Sequence, residues 1–150
     1  MSDITLLTIT GDRPEMFALC EMYMQRQTIF EDCKWLVIDD GVEETPCTLG
    51  QTKIRLPPEA NPRASFKRNM LVGLAAITTP KVVIAEDDDL YPRWHVETTA
   101  TILDWKNLAG TSRAKYYNVR RRCWRIHPNN EHSSLCSTGI KGDRIKRLMA

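Results

Sequence analysis

Apolar positions along this chain follow two rhythms. Short, β-branched-rich runs occupy Ile4 to Ile9 (ITLLTI), Lys34 to Ile38 (KWLVI) and Val82 to Ala85, the last opened by Lys81. Continuous Val, Ile and Leu leave no polar face for water, so each run predicts a buried strand. Between the first two lies Pro14 to Gln27, where Met16, Leu19, Cys20, Tyr23 and Met24 recur at the i, i+3, i+4, i+7, i+8 spacing of a helix packed on one side. TGDRP, just before it, supplies a turn glycine and a proline suited to a first helical turn. Strand, helix and strand in this order predict a βαβ unit, and hence a parallel sheet whose strand tips open on one edge.

Residues 42 to 64 are rich in Pro, Glu and Thr and predict mostly loop, with a short strand at Lys53 to Leu56; function is not expected to centre there. Ser65 to Thr78 (SFKRNMLVGLAAIT) reads as a helix with Met70, Leu71, Leu74 and Ala75 inward and Lys67, Arg68 and Asn69 in its first turn. Cations there oppose the helix dipole, which points to an anion as their target. Pro92 opens a further helix through about Asp104; Tyr116 to Trp124 reads as a strand and Asp143 to Leu148 as a short final helix. No solenoid repeat or low-complexity tract interrupts the pattern. At 150 residues the expectation is one α/β domain.

The chemistry concentrates where the strand at Val82 runs into Glu86, Asp87, Asp88 and Asp89. Two unit charges ~4 Å apart repel by about 1 kcal/mol in water and about 4 kcal/mol at an effective dielectric near 20. Four carboxylates at a half-buried strand tip therefore call for a cation or open water. In an extended chain i and i+2 point the same way, so Asp87 and Asp89 are the pair expected on one ion, with Glu86 facing away as a structural contact. Asp39 and Asp40 repeat the pattern at the tip of the second strand and should neighbour this group.

Charge is unevenly spread. Residues 1 to 105 carry 10 Lys/Arg against 17 Asp/Glu, a net of −7, whereas 106 to 150 carry 11 against 2, a net of +9. That basic third contains RRRCWR (Arg120 to Arg125) with Tyr116 and Tyr117, a composition that attracts the phosphates of a nucleic acid or a sugar nucleotide, or that merely blunts an exposed strand edge. The cysteines, Cys20, Cys33, Cys47, Cys123 and Cys136, are odd in number and lack a C-x-x-C pair, which argues for reduced thiols. Cys123, His127, His132 and Cys136 have zinc-capable side chains, but the gap between the inner pair is far shorter than in the usual structural site. No apolar run approaches a membrane span, and MSDITLLTITGDRP lacks the marks of a secretory leader; a soluble, cytoplasmic protein with no membrane partner is expected.

A strand ending in TGDRP, a second ending in VIDDG, a helix containing RN, and a strand ending in EDDD before a proline together resemble the nucleotide-sugar glycosyltransferases of the GT-A fold, family 2 above all. The resemblance covers about residues 4 to 95, and the late stretch NNEHSSLCSTG after a tyrosine-bearing strand is similar to the small members encoded by bacteriophages. It implies a Rossmann-like, mostly parallel sheet flanked by helices, with residues 1–95 as the nucleotide-sugar half and 96–150 as a reduced acceptor half. Thr10, Gly11, Asp12 and Arg13 would form the first nucleotide loop, Asp39 or Asp40 would meet the base or ribose, and Arg68 would lie against the base or phosphates. Asp87 and Asp88 would face the ribose, and Asp89 would hold Mn²⁺ or Mg²⁺ on the diphosphate, with His132 as a further ligand or a contact to the leaving group. Such an ion acts as a Lewis acid, offsetting charge on the leaving diphosphate.

The donor would be a nucleotide sugar, UDP-linked by expectation, and the acceptor a modified DNA base, a polysaccharide or a protein. An inverting transfer needs a base, for which Glu131 or His132 is favoured over His127 and Asp143. A homodimer could complete the cleft. Two other classes stand beside this one. In the first, a non-catalytic module binds nucleic acid through Arg120 to Arg125 and leaves both acid clusters unexplained. The second is a nucleotidyltransferase, disfavoured by the lack of a G-x-x-x-x-G-K loop.

Overall fold

Strand β1 (Ile4–Thr10) is the axis of a six-stranded sheet ordered β3-β2-β1-β4-β8-β5. The computed structural model describes residues 3–118, 120–126, 130–142 and 147. Strands β1, β2 (Cys33–Asp39), β3 (Thr52–Arg55) and β4 (Lys81–Ile84) run parallel, with Thr10 level with Asp39 and Leu7 level with Ile84. β8 (Gly139–Lys141) joins β4 antiparallel and carries the two-residue β5 (Leu108–Ala109) on its far side. This is the Rossmann-like α/β arrangement expected, with an antiparallel addition at one edge.

Among the described residues three helices cover the faces: α1 (Pro14–Gln25), α2 (Pro62–Ala76) and α3 (His95–Trp105). The chain steps from β1 to β2 in one direction and from β3 back past β1 to β4 in the other. Crossovers of one hand then put their helices on opposite faces. Successive residues divide accordingly: Leu6, Trp35, Val37 and Val83 pack with Phe17, Met24, Val96 and Ala100, while Leu7, Leu36, Ile38, Val82 and Ile84 pack with Leu74 and Ile140.

Several expectations are corrected. The buried stripe of α1 is Phe17, Cys20, Glu21 and Met24, whereas Met16 and Leu19 are exposed. The helix turns to seat Phe17 against Trp35, ring centroids 5.9 Å apart, because an aromatic ring buries more apolar area than a methionine at the margin. Glu21 is tolerated inside because it accepts from Thr48 N–H (2.6 Å) and Thr48 Oγ1 (2.9 Å). α2 begins earlier than expected, at Pro62, with the Asn61 side chain accepting from Arg63 N–H (3.0 Å) and Ala64 N–H (3.2 Å). Lys67 and Arg68 are therefore beyond the first turn, and Asn69 and Gly73 rather than Ala75 join Leu74 in the interior.

Tyr116 to Trp124 is a hairpin rather than one strand: β6 (Lys115–Asn118) pairs with β7 (Cys123–Ile126) across a turn holding Arg122 at φ 49°. The final helix expected at 143–148 lies almost entirely outside the described residues. Among the described residues, no helix is long and apolar enough to cross a membrane.

Candidate nucleotide site at the strand tips

The strand order reverses between the neighbouring parallel strands β1 and β4, so the loops leaving their tips stand side by side and frame a crevice on the α2 face. The β1 loop delivers Thr10, Gly11, Asp12 and Arg13; the β4 tip delivers Glu86 to Asp89. Thr10 Oγ1 donates to Asp87 Oδ2 at 2.7 Å. Arg13 straddles two acids, with Nη2 2.7 Å from Asp87 Oδ1 and Nη1 3.0 Å from Asp88 Oδ2. The Asp87 side chain is fully buried, while Asp88 and Arg13 are about half exposed. Burial pushes the Asp87 carboxyl up, and the Thr10 hydroxyl and the Arg13 guanidinium pull it back only in part.

The chain turns after Ala85 instead of continuing extended, so the expected alternation fails. Asp89 comes together with Glu86, not Asp87, and the third member is Cys136: one ligand atom from each lies within 4.8 Å of the others. Glu86 therefore does not face away. Cys136 arrives on a single 3-10 turn, Leu135–Ser137, tied to β4 where Ile84 N–H donates to Thr138 O at 3.0 Å. Tyr91 braces the backbone beneath: its hydroxyl accepts from Glu86 N–H (2.7 Å) and donates to Glu86 O (3.3 Å). Burial and then the Asp89 charge push the Glu86 carboxyl up to about 7, and burial with the same two acids pushes the Cys136 thiol up.

Glu86 and Asp88 rim an open cavity of about 230 Å³ with Arg13, floored by Met70 and Leu135. A divalent cation fits the Glu86, Asp89 and Cys136 donors, because its charge would offset the burial and the Asp89 repulsion that push the Glu86 carboxyl up. The carboxylates suit Mg²⁺ or Mn²⁺, and the thiol adds a softer donor that favours Mn²⁺ over Mg²⁺.

The second acid pair plays two different parts. Asp39 is buried and saturated, accepting from Gly41 N–H (3.0 Å) and Thr45 N–H (2.7 Å) and pairing with Arg55 Nη1 (2.8 Å). Asp40 takes the Ser65 hydroxyl and Arg68 Nη2 (3.0 Å), so Arg68 is turned onto Asp40. Asp12, at φ 51°, accepts from Val42 N–H at 2.9 Å and fastens the first loop to the second. The contact is close: a Cβ on Gly41 would lie 2.6 Å from Asp12 N, and one on Gly11 2.8 Å from Asp40 Oδ1.

Glu131 and His132 are not at the carboxylate crevice. They line a separate polar cavity of about 540 Å³ with Asn130, Ser133, Ala109 and Thr138, and His132 also lies beside Arg113 and Tyr116. Of the zinc-capable set, His127 is outside the described residues, Cys123 sits on the exposed β7, and Cys136 belongs with Glu86 and Asp89. Among the described residues no other group of such donors converges. Sequence reasoning named Cys136 as a metal-capable residue but grouped it with other partners, and it missed Tyr91, Ser65 and Arg55. Arg55 had one available signal, its place at the tip of the short strand inside the stretch set aside as loop.

No known family profile and no curated protein matches this chain. Solved structures do. A mannosyltransferase from Pyrobaculum calidifontis, captured with GDP-Man and Mn²⁺, superposes with a TM-score of 0.62 at 16% identity over 76% of this chain and 36% of its own length. A 2-C-methyl-D-erythritol 4-phosphate cytidylyltransferase from Thermus thermophilus superposes with a TM-score of 0.54 at 17% identity, over 93% of this chain and 70% of that one. The chain thus spans about a third of the mannosyltransferase. At such identities the likeness is one of fold, a mostly parallel α/β sheet flanked by helices.

Proposed function

We propose that this chain is a metal-dependent glycosyltransferase that moves a sugar from a nucleotide donor to an acceptor hydroxyl. One observation carries the reading: at the switch point of the sheet, Thr10 and Arg13 hold Asp87, Arg13 also reaches Asp88, and Glu86 and Asp88 rim an open cavity with Asp89 and Cys136 grouped about Glu86. In this reading Asp40 and Arg68 receive the base or ribose and Asp88 faces the ribose. Gly11 keeps the first loop thin enough for a nucleotide to approach. Asp87 positions Arg13, whose half-exposed guanidinium is left to meet a phosphate. Glu86, Asp89 and Cys136 would hold Mn²⁺ or Mg²⁺, which when bound offsets charge on the leaving diphosphate. The separate cavity of Glu131 and His132 would receive the acceptor away from the reacting carbon. Residues 96–150 would contribute the acceptor side.

Titration calorimetry with UDP and with GDP, each with and without Mn²⁺, tests this. Wild type is expected to bind a nucleoside diphosphate only with the metal, and Asp89→Ala to lose that dependence. Absence of metal-dependent binding for every nucleoside diphosphate overturns the reading.

A nucleotidyltransferase is the second reading, favoured by the cytidylyltransferase likeness over 93% of this chain. Binding of CTP in preference to any diphosphate, with pyrophosphate released on turnover, would select it.

A further inference from the structure

The β6–β7 hairpin is a two-stranded sheet on its own, exposed at every position of both strands. Isolated hairpins are marginal in water, and a soluble surface rarely keeps large aromatics open without a use for them. Its register sorts the side chains. Lys115 is opposite Ile126 and Tyr117 opposite Trp124, so these four share one face; Tyr116 is opposite Arg125 and Asn118 opposite Cys123, and these share the other. The second face turns to the body of the protein, since the Tyr116 hydroxyl lies 3.2 Å from Ser134 Oγ and Tyr116 lines the small cavity with His132.

The first face turns to solvent. Tyr117 is 60% exposed and Trp124 61%, side by side on neighbouring strands, with Lys115 Nζ 5.4 Å from the Trp124 ring centroid. Arg120, Arg121 and Arg122 are exposed in the turn at its end, and Arg121 N–H donates to Asn118 Oδ1 at 2.8 Å, which shapes that turn.

We infer that this face is a docking platform for single-stranded nucleic acid, with unpaired bases stacked on Tyr117 and Trp124 and the phosphate backbone drawn along Lys115 and the arginine turn. Charge argues for this occupant: the hairpin carries Lys115, Arg120, Arg121, Arg122 and Arg125, and no Asp or Glu falls between positions 113 and 126, so an anionic polymer is attracted to it. Geometry argues for single strands, because a duplex hides its base faces whereas an unpaired strand offers a π-face at every step. That the bound strand is also the sugar acceptor rests on the glycosyltransferase reading; the docking itself does not.

Fluorescence anisotropy with labelled dT20, rU20 and a 20-base-pair duplex, at two salt concentrations, tests the inference. The single strands are expected to bind more tightly than the duplex, with affinity falling as salt rises. Trp124→Ala should weaken single-strand binding about fivefold or more, the usual loss for one stacked base, while Trp124→Phe should restore most of it. Arg121→Ala should lower affinity and reduce the log–log salt slope by about 0.7. Asp89→Ala, which destroys the proposed metal site, should bind oligonucleotide normally, so failure of the transferase reading and failure of this one are separable. Equal affinity for duplex and single strand with no effect of Trp124→Ala would reduce the surface to simple charge attraction and overturn the platform. Binding of a neutral oligosaccharide in place of oligonucleotide would overturn it too, as would a change of oligomeric state in Trp124→Ala without a change in nucleic-acid affinity.

Discussion

Arg13 places Nη2 2.7 Å from Oδ1 of Asp87, a fully buried carboxylate at the far end of a different strand. The pair ties the β1 loop to the β4 tip and leaves the outer edge of the guanidinium in the crevice. Removing Arg13 strands an acid in the interior. Arg13→Ala is expected to destabilise the fold by about 1–3 kcal/mol, read as a lowered urea midpoint. Asp87→Asn in the same background should recover part of that loss, because the group left buried is then neutral; no recovery would mean that Asp87 does not depend on Arg13 for its charge.

Glu86 sets a pH dependence with a definite sign. Its carboxyl titrates near 7 in the fold, above the ordinary 4.5, so the folded protein binds this proton more tightly than the unfolded chain does. The group contributes most below about pH 4.5, and its contribution is lost as pH rises toward 7. Metal-free protein should therefore lose a few degrees of Tm across that window, less than the full shift implies because the side chain is partly solvated. Glu86→Gln should flatten the change. Added Mn²⁺ should raise Tm most at the upper end, where Glu86 gives up its proton; a metal effect independent of pH would argue against Glu86 as a ligand.

Two glycines are expected to tolerate no side chain. At Gly41 a Cβ would stand 2.6 Å from Asp12 N, which is backbone and cannot swing aside. At Gly73 it would meet Leu7 Cδ1 at 2.7 Å in the helix–sheet core. Each Gly→Ala change should cost about 1–3 kcal/mol in denaturant unfolding. Nucleotide affinity should separate them, falling for Gly41→Ala through the displaced loop and holding for Gly73→Ala at temperatures where that variant is folded.

The thiols should react in a fixed order. Cys123 is exposed, whereas burial pushes Cys20 and Cys33 up to about 12. At pH 8 Cys123 is expected to be alkylated first and the buried Cys20 and the raised Cys136 last, because only the thiolate attacks. Mass spectrometry of partly labelled protein checks this, and Cys123→Ser should remove the fast phase.

Much of the scaffold was legible in the chain because it depends on local patterning. Apolar runs that admit no polar face became β1, β2 and β4, and acids placed directly after them arrived at the strand tips. The parallel order and the crevice then follow from connectivity. What the one-dimensional pattern could not determine was direction within the site. A turn after Ala85 reversed the pairing expected of an extended chain, so Glu86 rather than Asp87 accompanies Asp89. Asp39 and Asp40 look alike in sequence, yet Asp39 is saturated by backbone donors and Arg55 while Asp40 reaches the crevice side with Ser65 and Arg68.

The partners of Cys136 lay hidden for the same reason. The residue is far from Glu86 along the chain, and only the antiparallel return of β8 beside β4 brings its turn to the carboxylates. By itself the sequence determined the α/β class, the acidic strand tips and the basic C-terminal third, all products of composition and period. Which carboxylate is buried and paired, which is left for a ligand, and which face of the hairpin meets solvent were decided by tertiary packing, because burial and charge pairing depend on neighbours distant in the chain.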